Sequence, residues 1–129
     1  PVVANGEIWT PEDYFSCRDA SGCADVMIGR GVIARPSLGR EIAQLRKEPK
    51  RGTAFNWSQI LGILVEYHDL IESMANPPRQ AGRLKQWIKL LSRSYEEAGA
   101  LFTRIRRLED PRDILAEVAL TRERILDAA

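Results

Sequence analysis

Asp25-Val26-Met27-Ile28-Gly29-Arg30-Gly31 is the stretch on which the reading of this chain turns. Val26-Met27-Ile28 is an apolar run of strand length. The two glycines are expected to permit a sharp exit with positive φ and to let the backbone approach a ligand closely. Arg30 between them carries a fixed positive charge and a forked set of donors, a shape suited to phosphate. A buried parallel strand ending in Gly-Arg-Gly supplies what a phosphate site at a strand's carboxyl end needs. The other reading of the same residues is a strand followed by an ordinary glycine turn, with Arg30 in solvent.

About twenty residues earlier stands Pro1-Val2-Val3-Ala4-Asn5-Gly6-Glu7-Ile8-Trp9, also a short apolar run ending in a glycine turn. Between the two lies a helix signal, with Thr10 as N-cap, Pro11 at the first helical position and Asp13 three residues after the cap. Ser21-Gly22 closes that helix. The pattern is strand, loop, helix, strand, so a right-handed βαβ unit is expected, with both strand-end loops on one edge of a parallel sheet.

Asn5-Gly6-Glu7-Ile8-Trp9 and Ser21-Gly22-Cys23-Ala24-Asp25-Val26-Met27-Ile28-Gly29-Arg30-Gly31 resemble the end of the flavin barrel of tRNA-dihydrouridine synthases. The likeness is strongest to the bacterial subfamily C. A later run, Arg83-Leu84-Lys85-Gln86-Trp87, resembles that subfamily's C-terminal helical domain. The resemblance covers essentially the whole chain and implies the last part of such an enzyme. The implied fold is an α+β fragment, mainly α: the last two βα units of a TIM barrel, then an antiparallel four-helix bundle.

The bulk numbers agree with a fragment. The chain has 129 residues, whereas a complete TIM barrel takes roughly 250, and it carries two strand signals. It is 44% hydrophobic and 29% charged, as a soluble globular protein is. No apolar run approaches the roughly 20 residues of a membrane span. The sequence begins at Pro1 inside a strand-like run, without an initiator Met or a signal segment, which suggests an excised piece of a cytoplasmic protein. Cys17 and Cys23 lack metal-ligand spacing and are expected as buried free thiols. Net charge is +1, yet between Arg79 and Arg107 eight basic residues face two acidic ones, a local +6. Such asymmetry is the footprint of an anionic partner, or of a solvated basic face on a bundle.

Further along, Val32-Ile33-Ala34 suits a short helical turn, and Ser37 caps a helix through about Arg46 with Leu38, Ile42 and Leu45 on one face. On the resemblance, residues 1–46 are the barrel end. Residues 47–52, charged and broken by Pro49 and Gly52, read as a linker, and 53–129 as the helical domain. Asn56 with Gln59 forms a capping box, and Trp57, Ile60, Leu61, Leu64, Tyr67, Ile71 and Met74 recur at helical spacing, widened by Ile63, Val65 and Leu70. His68 borders this stripe as a packed or hydrogen-bonded histidine. Asn76-Pro77-Pro78 is read as the helix's end. The next helix is placed at about Gln80 to Ser94, with Leu84, Trp87, Ile88, Leu91 and Tyr95 inward and Lys85, Lys89 and Arg93 along one side. A third is expected to end at about Leu108, burying Ala98, Leu101, Phe102, Ile105 and Leu108. Asp110, Pro111 and Asp113 start the last, whose apolar positions are Ile114, Leu115, Val118, Ile125 and Leu126.

The resemblance implies the chemistry. Such enzymes reduce the C5–C6 bond of a D-loop uridine of tRNA, expected at position 16, with FMN as hydride donor, a Cys as acid and NADPH as reductant. Asn5, Gly6, Glu7, Gly29 and Arg30 match positions that hold FMN, mainly at its phosphate. A short helix after Gly31 is implied there, its N-terminus towards the phosphate. The catalytic Cys and the flavin-ring contacts belong to earlier strands, so this piece is expected to be inactive and colourless alone. Arg83, Lys85 and Arg106 match tRNA-contacting positions, and Lys89 and Arg93 join them by spacing. Leu90 stands at another such position, where a relative carries an aromatic residue. Trp87 could stack on a base, but its place beside Leu84 and Leu91 favours core packing. No metal is implied. The alternative function is a non-catalytic helical RNA-binding module that uses the βαβ piece as support.

Overall fold

Two strands of three residues, β1 (Val3–Asn5) and β2 (Asp25–Met27), pair in parallel, with Val3 opposite Asp25, Ala4 opposite Val26 and Asn5 opposite Met27. The helix α1 (Pro11–Ser21) connects them. In this computed structural model, which describes residues 1–47 and 53–129, the chain divides into two compact units, Pro1–Phe55 and Asn56–Ala129. The fold is mainly helical, α+β, with a two-stranded parallel sheet among the described residues.

The capping chemistry read from the sequence sets α1. Thr10 Oγ1 accepts from the Asp13 amide, and Asp13 accepts in return from the Thr10 amide. Gly22 ends the helix at φ 68°, the left-handed conformation that a residue without Cβ adopts at little cost. In the first unit α2 (Arg30–Ala34) and α3 (Leu38–Lys47) follow the sheet. Ile8, Tyr14, Leu38 and Ile42 form the core, with Phe15, Cys17, Val26 and Ile28 packed against it. Glu41, 3% exposed, is a buried carboxylate that Arg35 holds at 2.6 and 3.0 Å and the Ser37 hydroxyl also satisfies. Ser37 accepts in turn from the Phe55 amide, and Gln44 from Thr53, which ties residues 53 and 55 to this unit.

Several expectations need correction. The strand is Asp25–Met27, and it is not buried. Val26 is half-buried, whereas Asp25 and Met27 are exposed, because helices cover only one face of the two-stranded sheet and alternate residues point away from it. Gly29 and Gly31 do not take positive φ: Gly22 is the positive-φ glycine among the described residues. Cys17 and Cys23 are half-buried free thiols. Leu45 is half-buried. Of the expected linker, Lys47 is the last residue of α3, and residues 48–52 lie outside the described residues.

The second unit packs α4 (Trp57–Glu72) on α5 (Pro77–Leu91) and α7 (Pro111–Asp127), and α6 (Glu96–Ile105) on α5 and α7. Trp57, Ile60, Leu61, Leu64, Ile71, Leu84, Ile88, Leu91, Leu101, Ile105, Ile114 and Val118 are buried. Asn56 and Gln59 form the capping box, and Asp110 with Pro111 starts α7. Asn76 does not only end a helix; it is the N-cap of α5, accepting from the Arg79 amide, and Pro77 is the first helical residue. Met74, Leu70 and Leu126 are exposed, and Tyr67, Phe102, Leu108, Leu115 and Ile125 only half-buried. Their spacing continues the apolar stripes, but they lie beyond the strip that the neighbouring helices cover. His68 is buried and hydrogen-bonded. Both amide hydrogens of Gln80 go to the Glu72 and Ala75 carbonyls, so Gln80 Oε1 accepts and His68 Nε2 donates, at 3.1 Å.

Candidate functional site

The loops leaving the carboxyl ends of β1 and β2 lie side by side, because the strands are parallel neighbours joined through α1. Between them is a cleft of about 400 Å³ lined by Asn5, Gly6, Glu7, Ile8, Trp9, Gly29, Arg30 and Gly31. All five residues expected at a phosphate end, Asn5, Gly6, Glu7, Gly29 and Arg30, thus come together, although 21 positions or more separate the two groups.

The glycines do different work. A Cβ on Gly31 would stand 1.9 Å from the Ile8 carbonyl oxygen, so only glycine lets the two loops close on each other there. A Cβ on Gly29 would meet nothing within 4 Å, so protein packing does not call for glycine at that position, and the cleft is open to a ligand beside it. Arg30 is the cleft's positive charge. The helix it starts is five residues long and carries little of a macrodipole, so the guanidinium dominates the electrostatics. Arg30 Nη2 donates to Glu7 Oε1 at 3.0 Å, Trp9 Nε1 donates to Glu7 Oε2 at 2.8 Å, and the guanidinium lies 5.3 Å from the Trp9 ring centroid. Asp13 supports this loop from α1, accepting from the Trp9 and Thr10 amides at 3.0 and 2.9 Å. The hydrogen bond from the Trp9 amide above all holds the Asp13 carboxyl below the usual aspartate range; burial opposes it, and the Thr10 hydroxyl and amide add to the lowering.

The basic residues of the second unit fall into two kinds. Arg83, Lys89, Arg93 and Arg106 are exposed. Lys85 is half-buried, and its ammonium donates to the Leu108 carbonyl at 3.0 Å, just past the end of α6. Lys89 lies 5.9 Å from the Phe102 ring centroid. Arg93 falls beyond α5, which ends at Leu91, so only Lys85 and Lys89 share a helix face by four-residue spacing. Arg104 is engaged within the unit by Glu117 and Thr121. Trp87 is half-buried, meeting Tyr67 edge-on at 4.7 Å between centroids.

The sequence pattern of the dihydrouridine synthase (Dus) family matches residues 1–123. The chain belongs to the dihydrouridine synthase family. It is 43% identical over 110 residues to the tRNA-dihydrouridine(16) synthase of Pseudomonas putida, covering 85% of this chain and 34% of that protein. The protein of that name from Ralstonia nicotianae is 40% identical over 119 residues, covering 92% of this chain and 36% of its own length. The one from Escherichia coli O157:H7 is 36% identical over 114 residues, 88% and 34% respectively. The chain therefore spans about a third of the length of these relatives.

Two features of this chain escape sequence reading. Trp9 lines the cleft and holds both Glu7 and Arg30, whereas Glu-x-Trp spacing by itself names no partner 21 residues away. Lys85 belongs to a basic series, yet it satisfies a carbonyl of another helix end 23 residues away. Among the described residues no group of three or more His, Cys, Asp or Glu could hold a metal ion, and no helix is long and apolar enough to cross a membrane.

Proposed function

We propose that this chain is the C-terminal part of a cytoplasmic tRNA-dihydrouridine synthase. Pro1–Phe55 carries strands seven and eight of a flavin TIM barrel with their helices, and Asn56–Ala129 is an antiparallel four-helix bundle that binds tRNA. The observation that carries this reading is the cleft itself: two neighbouring parallel strands deliver Asn5, Gly6, Glu7, Gly29 and Arg30 to one place at their carboxyl ends. Phosphate sites of such barrels are built from those loops. The residues fit the phosphate end of FMN, since a guanidinium with five N–H groups stands beside the open space at Gly29.

Arg30 would take the phosphate, the Gly6 and Gly29 backbones would allow its approach, and Asn5 and Glu7 would offer polar contacts along the cofactor. FMN, reduced by NADPH, would supply hydride to the C5–C6 bond of the target uridine. Position 16 of tRNA is the target that the relatives' names point to. The acid Cys and the flavin-ring contacts would come from the rest of the parent barrel. In the helical unit Arg83, Lys89, Arg93 and Arg106 are exposed cations for tRNA phosphates. Lys85, which holds Leu108, contributes mainly by fixing the surface on which they stand.

The test joins this chain to its upstream reading frame and measures dihydrouridine in tRNA by mass spectrometry. The product should contain dihydrouridine, require a Cys of the upstream part, and lose activity on Arg30→Ala. An upstream frame without a Cys-bearing βα array would sink the proposal and favour a non-catalytic RNA-binding module.

A further inference from the structure

We infer that Trp9 is a positioning residue for Arg30, acting on the phosphate end of the cofactor; this rests on reading the cleft as an FMN-phosphate site. Three side chains form a closed set of contacts. The Trp9 ring carries the Arg30 guanidinium at 5.3 Å, the Trp9 Nε1–H donates to Glu7 Oε2 at 2.8 Å, and Arg30 Nη2 donates to Glu7 Oε1 at 3.0 Å. Each member holds the other two. The Trp9 amide ties the set to the fold by donating to Asp13 at the start of α1.

This network is poorly placed to stabilise the fold. The Arg30 and Glu7 side chains are 67% and 72% exposed, and exposed ion pairs add little in water. Its effect is on the conformation of Arg30. A free arginine samples many rotamers and must be ordered when a ligand binds, whereas one already held loses less entropy on binding. Glu7 takes an N–H of one nitrogen, so the remaining donors of the guanidinium are left to a phosphate. Glu7 also neutralises the pair in the absence of ligand. Trp9 limits that cost, because its own N–H holds one carboxylate oxygen and keeps Glu7 from wrapping both oxygens around Arg30 in the bidentate manner that carboxylates favour. Trp9 therefore both aims the cation and keeps part of it accessible.

The experiment compares wild type with Trp9→Ala, Trp9→Phe and Arg30→Ala. Nuclear magnetic resonance titrations of the chain joined to its upstream reading frame use FMN and riboflavin, which differ only in the phosphate, and relaxation of the Arg30 Nε–Hε group reads its order directly. Trp9→Ala should weaken FMN by about three- to tenfold, the effect expected of a lost cation–π contact together with a lost hydrogen bond, and leave riboflavin unchanged. Trp9→Phe keeps a ring face without the N–H and should fall between. The Arg30 order parameter should drop in Trp9→Ala, and because the Trp9 ring is half-buried this variant also loses some thermal stability, whereas Trp9→Phe should keep a midpoint near that of wild type with Arg30 partly ordered. An unchanged Arg30 order parameter overturns the inference whatever FMN does, and so does an equal loss for FMN and riboflavin. If instead wild type and Arg30→Ala bind FMN alike while Trp9→Ala still disorders Arg30, the flavin-phosphate reading falls and the positioning role stands.

Discussion

Replacing Gly31 by alanine should destabilise the first unit, although the position lies in a helix where alanine is normally the better residue. The added Cβ would stand 1.9 Å from the Ile8 carbonyl oxygen, and real Cβ contacts essentially never fall under 3.0 Å, so a shift of at least about 1.1 Å is required. The obstacle is backbone, and it belongs to a residue 3% exposed that packs with Tyr14, Leu38 and Ile42. Leu38 Cδ2 at 3.2 Å blocks relief on another side. Overpacking of this kind costs about 1–3 kcal/mol, and a backbone clash belongs at the upper end. Helix propensity returns about 1 kcal/mol. The net loss is then about 2 kcal/mol, or roughly 8–16 °C in thermal midpoint for a domain of small size. Gly29→Ala is the control for added bulk alone, because its Cβ would meet nothing within 4 Å. Hydrogen exchange of residues 1–47 and the thermal midpoint are the measurements. A Gly31→Ala chain as protected as wild type, or more so, would refute the argument by showing that Ile8 yields at negligible cost.

Other outcomes follow from the same contacts. Lys85→Ala should lower the stability of the second unit by about 1 kcal/mol, through the lost donor to the Leu108 carbonyl, while Arg83→Ala leaves the thermal midpoint unchanged. Across a salt series, Arg83→Ala should reduce the slope of tRNA affinity by about one unit or somewhat less, and identical slopes would return Arg83 to a plain solvated surface. Trp87→Ala should cost about 1–3 kcal/mol in a denaturant melt, less than the 3–5 of a fully buried aromatic, since the ring is half-buried against Tyr67. The Asp13 carboxyl is depressed in the folded chain, so its contribution is present above the unfolded aspartate value and lost as pH falls through the lower, folded one. Circular dichroism of α1 should therefore weaken in acid, below roughly pH 4, and Asp13→Asn should remove that step.

Local chemistry made much of this chain legible before any coordinates. Thr10, Pro11 and Asp13 specify where α1 starts, Asn56 and Gln59 where α4 starts, and Asp110 and Pro111 where α7 starts, because each cap is satisfied by a residue two or three positions away. The same holds for Gly22, whose αL conformation ends α1. Strand, helix, strand in that order also forces both strand-end loops to one edge, so the gathering of Asn5–Glu7 with Gly29–Arg30 was readable as topology. Asn76 is ambiguous in the sequence because Asn-Pro marks a helix start and a helix end alike, and the chain has both within a few residues. What no local pattern carries is the identity of distant partners. Gly31 is glycine for the sake of the Ile8 carbonyl, Lys85 reaches Leu108, and Trp9 carries Arg30; each pairing spans 21 residues or more. Exposure of Leu70, Met74 and Leu126 is likewise a tertiary outcome. Periodicity places them on an apolar face, but how far neighbouring helices extend along that face is decided only when the helices pack.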